Sequence, residues 1–228
     1  ARADDPDGRL DALSSFTLFA HVQPTAPKAE RQQIMGRWAI DRTMGFGLGI
    51  DPDGHVALWV GDGTHVDEIR TEITLVPRCW YFIAASFDGA TGKAELHLIN
   101  CVNSWNSRIS TVVPFQPDSW VRESLRVSPS ATAGEASFKL ASATAWNPMR
   151  GHHGALLYNG KIDRSGVYER LLTRTEIEAL AKGGVPSPEG LAAYWDPTAN
   201  LAREGVNDTI PDTGPHALHM QGINRPVR

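Results

Sequence analysis

Hydrophobic and polar residues alternate in short runs along most of the chain, and Gly, Pro, Asn and Asp separate the runs. In residues 14–24, the alternation places Phe16, Leu18 and Ala20 on one face, and the run stops at Pro24. A period of two is typical of a strand with one buried face. Short runs at a spacing of roughly ten residues predict an all-β fold, an antiparallel sandwich of two sheets.

Two longer segments, residues 45–63 and 79–100, are predicted to be hairpins. The first contains the turn sequence Asp51-Pro52-Asp53-Gly54, in which proline presets φ and glycine accepts a positive φ. The second has Asp88-Gly89 in its loop. Further strands are predicted near residues 110–114, 122–128, 135–145 and 191–195, and in the stretch that contains Ile162, Val167 and Tyr168.

One short helix is predicted at residues 173–182. Thr173 and Glu176 have the spacing of a capping box, which satisfies two backbone N–H groups at the start of a helix. Leu172 and Ile177 have the spacing of a hydrophobic staple. A helix of this length is marginal alone, so we expect it to dock on a sheet as a lid.

The composition limits the classes of partner that the chain is expected to bind. The chain has 228 residues, of which 21% are charged, and a net charge of −4. This mixed, mildly acidic balance favours neither nucleic acid nor an anionic membrane as a partner. No apolar run approaches the roughly 18 residues of a transmembrane helix. We expect a single domain over residues 1–228, and its start at Ala1 and abrupt end at Arg228 suggest a fragment of a longer chain.

Three segments carry a family resemblance: residues 16–22, 80–89 and 160–177. They resemble successive signature strands, and the short helix after the last strand, of laminin G-like, concanavalin A-like domains. The resemblance implies an antiparallel two-sheet jelly roll. It also implies a circular permutation, because Leu191-Ala-Ala-Tyr-Trp-Asp196, which resembles the family's usual first strand, comes late here. Termini of sandwiches are often close together, which makes this order tolerable.

A narrower resemblance rests on residues 158–163, 192–196 and 222–228, which are similar to the middle of the large subunit of the N,N-dimethylformamidase family. In that family a lectin-like domain precedes a catalytic domain that holds a mononuclear iron and hydrolyses formamides. The resemblance places the iron and the catalytic residues after Arg228. It implies a non-catalytic structural or interaction domain of a bacterial hydrolase, with neighbouring domains or subunits as partners.

A glycosidase active site is disfavoured by the spacing of the carboxylates. Concanavalin-type glycosidases carry paired carboxylates on alternate residues of one strand, which share a face. The nearest candidates are Asp67 and Glu68, which are adjacent, and Glu169, which is isolated. No Gly-x-Ser-x-Gly elbow marks a serine nucleophile either. We therefore predict no catalytic residue, and a glycoside-active enzyme ranks third among the functions.

Five residues are the candidate ligand-binding residues: Trp105, Trp120, Trp146, His152 and His153. The three tryptophans lie among turn formers and are predicted on loops, where rings could stack on sugars. An apolar patch at the rim of the sandwich would equally suit packing against a neighbouring domain. A carbohydrate-binding module is therefore the alternative to this packing role. The adjacent histidines would point to opposite faces of a strand, which disfavours zinc. The remaining four tryptophans are predicted in the core instead: Trp38, Trp59, Trp80 and Trp195.

Asp163 and Asp212 are the candidate metal ligands. Both match positions that often share a structural calcium in laminin G-like domains, so the resemblance implies a Ca²⁺ site. The alternative is that Asp163 accepts backbone hydrogen bonds at a strand end and Asp212 makes an Asx turn. Two carboxylates are few for an ion that takes roughly six to eight oxygens, which favours the alternative.

Cys79 and Cys101 flank the second predicted hairpin. If Phe87 pairs with Ala94, the two thiols lie on opposite faces of the sheet and cannot bond, unless a bulge shifts the register. We expect free thiols, which suit the reducing cytoplasm.

Overall fold

The computed structural model describes most of the chain. The described residues are 1–101, 105–106, 111–112, 116–129, 136–149, 151–199, 201–202, 205–206 and 209–222, and only the backbone is described at 105–106, 111–112, 201–202 and 205–206. No helix in these ranges is long and apolar enough to cross a membrane.

Strands make up nearly all of the regular structure. The first ten are β1 (Arg2–Ala3), β2 (Phe16–Pro24), β3 (Gln32–Ala39), β4 (Met44–Ile50), β5 (His55–Asp62), β6 (Val66–Thr74), β7 (Tyr81–Asp88), β8 (Lys93–Asn100), β9 (Trp105–Asn106) and β10 (Thr111–Val112). The others are β11 (Ser119–Ser124), β12 (Lys139–Leu140), β13 (Ala143–Asn147), β14 (Gly151–Ala155), β15 (Gly160–Tyr168), β16 (Leu191–Trp195), β17 (Leu201–Ala202), β18 (Gly205–Val206), β19 (Thr209–Ile210) and β20 (Met220–Gln221). A 3₁₀ turn spans Ile40–Arg42, and the helix α1 spans Arg174–Ala181.

Two sheets account for most of these strands. The larger has the order β19-β20-β1-β12-β3-β4-β5-β6 and also includes the hairpin β13–β14, whose strand β13 meets β3 in parallel at one pair. The smaller sheet has the order β11-β8-β7-β2-β15-β16, with antiparallel neighbours. Two further pairs, β9–β10 and β17–β18, stand apart. The predicted all-β fold of two antiparallel sheets with one short helix is confirmed.

The main core lies between the two sheets. Strand β2 contributes Phe16 and Leu18 to it, while β4 contributes Phe46 and Leu48 from the facing sheet. The rings of Phe16 and Phe46 stack with their centroids 4.4 Å apart. The inward residues of β2 are those that the alternation predicted, because period-two patterning assigns alternate residues to one face.

The outer face of the larger sheet carries a second apolar cluster, which we call the glycine face. Strand β4 presents Gly47 and Gly49 on this face, and Trp59 of β5 pairs opposite Gly47. A Cβ at Gly47 would lie 2.4 Å from the Trp59 ring, so only glycine admits the indole here. Trp38 meets Trp59 edge-on, with centroids 6.4 Å apart, and both are buried. Trp38 and Trp59 are therefore core residues, as predicted, but outside the space between the sheets.

The helix α1 begins where the capping residues predicted. The Thr173 hydroxyl accepts a hydrogen bond from the Glu176 N–H, and the Glu176 carboxylate accepts one from the Thr173 N–H. Ile177 and Leu180 of the helix pack on Phe19 and other residues of the smaller sheet's outer face. The helix thus covers part of the sheet surface that faces away from the main core.

The first and last described strands, β1 and β20, pair in the larger sheet. Arg2 pairs with Gln221 across β1 and β20. The late strand β16 takes the edge position of the smaller sheet beside β15. Neighbouring ends are the condition that a permuted order requires, and the permutation itself stays a prediction.

Several elements differ from the sequence predictions. The strand expected at 122–128 spans Ser119–Ser124, and the one expected at 135–145 is divided between β12 and the start of β13. Strands β3, β6 and β14 had no predicted counterpart at their positions. Strand β3 is buried along its whole length, which removes the alternation that marks a one-sided strand. Trp80 was predicted in the core, but it lies just before β7 and is only half-buried.

Candidate functional site

A groove of about 540 Å³ runs along the outer face of the smaller sheet beside α1. It exists because the helix covers only part of that face, leaving the outer residues of β8 and β11 uncovered on one side. We call it the helix groove. Its lining comprises His21, His97, Ile99, Asn100, Cys101, Asp118, Ser119, Trp120, Arg164, Arg174, Glu178, Ala181, Lys182 and Gly183.

Two buried histidines form the floor of the helix groove. His21 of β2 is 6% exposed and His97 of β8 is 4% exposed. The His21 Nε2 lies 3.3 Å from the Ala181 carbonyl oxygen at the end of α1. The Nδ1 of His21 and the Nε2 of His97 have no hydrogen-bond partner among the described residues. Burial lowers the pKa of each imidazole, so both rings favour the neutral form at pH 7.

Trp120 forms one wall of the groove. Its ring stacks on His97, with centroids 5.1 Å apart and an interplanar angle of 25°. The guanidinium of Arg174 lies 4.3 Å from the indole centroid, and that of Arg122 lies 5.5 Å from it. Trp120 remains 42% exposed, but its ring surface is shared among these three side chains. This arrangement leaves less of the indole available to a sugar than an open loop tryptophan would offer.

Charged residues of both signs surround the groove. Arg164 pairs with Asp163 through Nε at 3.2 Å, and Arg174 pairs with Glu178 through Nε at 2.8 Å. Arg164 also lies against Gly183, where a Cβ would stand 2.9 Å from its guanidinium. Burial raises the pKa of the Cys101 thiol, which keeps this groove cysteine in its less reactive protonated form.

A different surface carries the other candidate ligand-binding residues. In the hairpin β13–β14, Trp146 pairs with His152, and Ala145 pairs with His153. Trp146 is 50% exposed, and Met149 and Leu157 beside the hairpin are 95% and 66% exposed. The prediction that Trp120 and Trp146 lie on loops is wrong, since both lie in strands, although both are exposed.

The five predicted ligand-binding residues do not converge. Trp120 belongs to the smaller sheet, whereas Trp146, His152 and His153 belong to the hairpin of the larger sheet. The backbone of Trp105 lies in β9, and its side chain falls outside the described part of the chain. The histidines His21 and His97, which the structure places in the groove, were not among the predicted site residues.

Asp212 has a clear structural role. Its Oδ1 accepts hydrogen bonds from the N–H groups of Tyr194 (2.8 Å) and Gly214 (2.7 Å), and its Oδ2 accepts one from Leu218 (2.8 Å). The bond to Gly214 is the predicted Asx turn. Asp212 is 7% exposed, so the carboxylate satisfies backbone donors that would otherwise be unpaired in a buried place.

The surroundings of Asp163 differ from the alternative prediction, in which its carboxylate accepts backbone hydrogen bonds at a strand end. It lies opposite His21 on the neighbouring strand and pairs with Arg164, and one of its oxygens, Oδ1, has no partner within the described ranges. Among those residues, no backbone N–H group donates a hydrogen bond to the side-chain carboxylate of Asp163. The described residues contain no group of three or more His, Cys, Asp and Glu side chains that could hold a metal ion. Calcium at Asp163 and Asp212 therefore stays a prediction.

We expect added calcium to leave the melting temperature unchanged, because backbone N–H donors already occupy both oxygens of Asp212. Differential scanning calorimetry in CaCl₂, in MgCl₂ and in EDTA measures this directly. A rise in melting temperature with calcium but not with magnesium would show that the two carboxylates do share an ion.

The carboxylates weighed for glycoside chemistry have other partners. Asp67 Oδ2 accepts hydrogen bonds from the backbone N–H of Arg126 and Val127, at 2.5 and 3.1 Å. Glu68 pairs with Arg31, and Glu169 pairs with Arg9. Each is held by a structural contact, and Asp67 and Glu68 are adjacent on strand β6.

The cysteines follow the predicted register. Phe87 pairs with Ala94 across β7 and β8, and the Cys101 N–H donates to the Trp80 carbonyl, as the unshifted hairpin requires. Both thiols are free, with Cys79 buried in the main core and Cys101 exposed in the helix groove.

Comparison with known proteins supports both resemblances. The chain is 30% identical over 233 residues to the N,N-dimethylformamidase beta subunit of Paracoccus aminophilus, and 29% identical over 227 residues to that of an Alcaligenes species. Each alignment covers 98% of this chain and 29% of the relative. The chain therefore spans less than a third of the length of these relatives.

Solved structures share the fold. The structure of a putative carbohydrate-binding protein from Bacteroides ovatus superposes with a TM-score of 0.59 at 20% identity, over 88% of this chain and 50% of that one. The CBM40 of Ruminococcus gnavus IT-sialidase superposes with a TM-score of 0.56 at 16% identity, over 81% and 92%. A laminin G family model, described as the concanavalin A-like lectin/glucanases superfamily, matches residues 2–120 of the 228. The chain belongs to the concanavalin A-like lectin/glucanases superfamily.

Proposed function

We propose that this chain is a non-catalytic lectin-like domain of a larger hydrolase similar to N,N-dimethylformamidase, and that it serves to pack against a neighbouring domain or subunit. The parent would hydrolyse the C–N bond of a formamide, with chemistry carried elsewhere in the protein. The relatives' identity along 98% of this chain, within less than a third of their length, supports the assignment to a larger protein.

The observation that carries the packing role is the apolar surface at the hairpin β13–β14. Trp146, Met149 and Leu157 together expose large hydrophobic side chains to solvent. Large exposed apolar side chains on one hairpin and the residues beside it are typical of surfaces that bind another part of a protein. We call this surface the hairpin patch.

Replacing Met149 and Leu157 with Ser in the full-length protein should lower its melting temperature and speed trypsin cleavage between domains. Each side chain should contribute about 1.5–3 kcal/mol if it becomes buried against a neighbour. Val185→Ser is the matched control, because Val185 is 93% exposed but lies beyond α1, away from the hairpin. If the double variant behaves like the control, the hairpin patch is not an interface.

The activity of the parent is tested separately. The full-length protein, incubated with N,N-dimethylformamide, should release dimethylamine and formate in equal amounts. Retained turnover after Asp67→Asn and Glu169→Gln would agree with a non-catalytic role for this domain. A full-length protein that is inactive on dimethylformamide and on other formamides would contradict the assignment of the parent.

Carbohydrate binding is the second candidate function. It is favoured by Trp146, which is half-exposed and lies opposite His152 on the same hairpin. An exposed indole beside a polar side chain suits the apolar face and the hydroxyl groups of a sugar. A glycan array probed with the wild type and with Trp146→Ala separates the two roles, because specific micromolar binding that the variant loses would favour the sugar.

A further inference from the structure

We propose that the helix groove binds a small oxyanion, one that carries carboxylate or phosphoryl oxygens, and that the groove takes up a proton as it binds. The proposal concerns a surface separate from the hairpin patch and does not depend on the packing role. It rests on three features: the unused donors of two arginines, the nearly balanced charge of the rim, and the unpartnered nitrogens of the buried histidines.

The two arginines use only part of their hydrogen-bonding capacity. Arg164 and Arg174 each donate through Nε to one carboxylate oxygen, of Asp163 and of Glu178 respectively. The terminal amino groups of both guanidinium groups make no further hydrogen bond to the residues that the structure describes. A guanidinium presents its donors as a planar fork, which matches the paired oxygens of a carboxylate or a phosphoryl group.

The arginines approach the groove from different elements. Arg164 lies on β15 against Gly183, at the end of the helix, while Arg174 lies at the start of the helix over Trp120. Lys182 also lines the groove and has no ion pair in the described part of the chain. Basic side chains therefore stand at both ends of α1.

The rim alone does not carry a strong positive charge. Its lining has three basic residues, Arg164, Arg174 and Lys182, against two acidic ones, Asp118 and Glu178. Asp163 compensates Arg164 from the neighbouring position. The groove is thus close to neutral while its histidines are neutral, so an anion that enters it needs a further positive charge. Protonation of a histidine on the floor supplies that charge.

The histidines are arranged to accept such a proton. The Nε2 of His21 already lies 3.3 Å from the Ala181 carbonyl, so a protonated ring would keep this bond and offer Nδ1–H as a second donor. The charged groups that face His21 are Asp163 and Arg164 from β15, and their opposite charges partly cancel.

His97 has a similar setting. Its Nε2 lies 3.7 Å from Glu95 Oε2, which favours the protonated ring, and Arg122 and Arg174 oppose it. Neither the Nδ1 of His21 nor the Nε2 of His97 makes a hydrogen bond to the described residues, which is uncommon for buried polar atoms, and Glu95 is the carboxylate that faces the His97 nitrogen. An anion that arrives with a proton would therefore bring together one histidine and the unused donors of the arginine beside it, either Arg164 beside His21 or Arg174 beside His97.

The size and walls of the groove limit the ligand. A volume of about 540 Å³ suits a small molecule. Trp120 and Ile99 contribute apolar surface, which favours an anion with a short carbon skeleton over a long polar chain. Citrate and inorganic phosphate are suitable probes for the carboxylate and the phosphoryl form of the same chemistry.

Isothermal titration calorimetry on the full-length protein tests the proposal, with citrate or phosphate as titrant at constant ionic strength. Each titration is repeated in two buffers of different ionisation enthalpy, which counts the protons taken up. We expect at least one anion to bind with uptake of about one proton, and its affinity to fall by up to about tenfold per pH unit above pH 7. Binding of citrate alone would assign a carboxylate ligand, and binding of phosphate alone a phosphoryl ligand.

Variants locate the binding in the groove. The double variant Arg164→Gln, Arg174→Gln should weaken binding by about tenfold or more, since the charge-assisted contact is lost at whichever end of the groove the anion binds. Arg70→Gln is the matched control, because Arg70 is 57% exposed and Arg174 is 58% exposed, and it should bind as the wild type does. His21→Gln and His97→Gln should reduce the proton uptake.

Three results would overturn the proposal: neither anion binds, binding is not accompanied by proton uptake, or the arginine variant binds as tightly as the control. The proton count on the wild-type protein does not require the histidine variants to fold. Loss of dimethylformamide hydrolysis, or its absence, has no bearing on this outcome.

Discussion

Asp212→Ala should destabilise the protein by about 3 kcal/mol, which corresponds to a fall in melting temperature of roughly 6–12 °C for a chain of this size. The carboxylate accepts hydrogen bonds from three backbone N–H groups, those of Tyr194, Gly214 and Leu218. Alanine provides no acceptor, and Asp212 is nearly buried, so water cannot easily replace the lost oxygens. Thermal unfolding monitored by circular dichroism measures the effect.

Two controls separate this role from a general effect of charge. Asp62 also accepts two backbone hydrogen bonds, from Thr64 and His65, but it is exposed, so Asp62→Ala should have a small effect. Asp212→Asn keeps one oxygen acceptor and should fall between the wild type and Asp212→Ala. Equal melting temperatures for Asp212→Ala and Asp62→Ala would contradict the structural role.

Gly47→Ala should destabilise the protein by about 3 kcal/mol, because the added Cβ would lie 2.4 Å from the buried Trp59 ring. The indole is fixed between β4 and Trp38 and has little room to move. In a Trp59→Val background, the same Gly47→Ala change should cost much less, since the atoms that clash are gone. Trp59→Val alone is also destabilising, so the coupling is obtained from a double-mutant cycle.

Gly49 supplies the matched comparison within the same strand. A Cβ at Gly49 would lie 1.9 Å from the backbone oxygen of Gln32, in addition to 2.7 Å from the Trp59 ring. Removing the indole cannot relieve a clash with the backbone, so Gly49→Ala should remain destabilising in both backgrounds. Chemical denaturation of the wild type and the five variants provides the free energies of unfolding. A coupling energy for Gly47 no larger than that for Gly49 would show that Trp59 is not what excludes a side chain at Gly47.

The predictable parts of the fold are those with local signals. Phe16, Leu18 and Ala20 keep a period of two in β2 although the residues between them are buried as well, and the Thr173–Glu176 pair marks the helix start. Strand β3 lacked such a signal because it buries the polar residues Gln32, Gln33 and Arg37 together with its apolar ones. The strand predicted at 135–145 reached the start of β13, but the turn-forming residues Asn147, Pro148, Gly151 and Gly154 concealed the rest of the hairpin β13–β14.

The helix groove could not be derived from local patterns. His21 and His97 occupy outward positions of β2 and β8, where alternation alone predicts contact with solvent. They become buried only because α1 crosses that face and Trp120 stacks on His97. The docking position of a short helix depends on contacts between residues far apart in the sequence, such as Phe19 with Ile177. The only indication of the groove in the sequence was that charged and aromatic residues occupy alternate positions of β8.

The Asx turn at Asp212 lies against the edge strand of the smaller sheet, where another copy of the chain could otherwise pair. Strand β16 is the last strand of the smaller sheet, and its outer backbone groups would be open to pairing with another chain. Asp212 accepts the Tyr194 N–H, and the Thr213 N–H donates to the Tyr194 carbonyl, so both groups are occupied from within the chain. A free sheet edge is a template for aggregation. The loop at Asp212 and Thr213 therefore covers the edge of the smaller sheet at Tyr194 and makes that position unavailable for pairing with another chain.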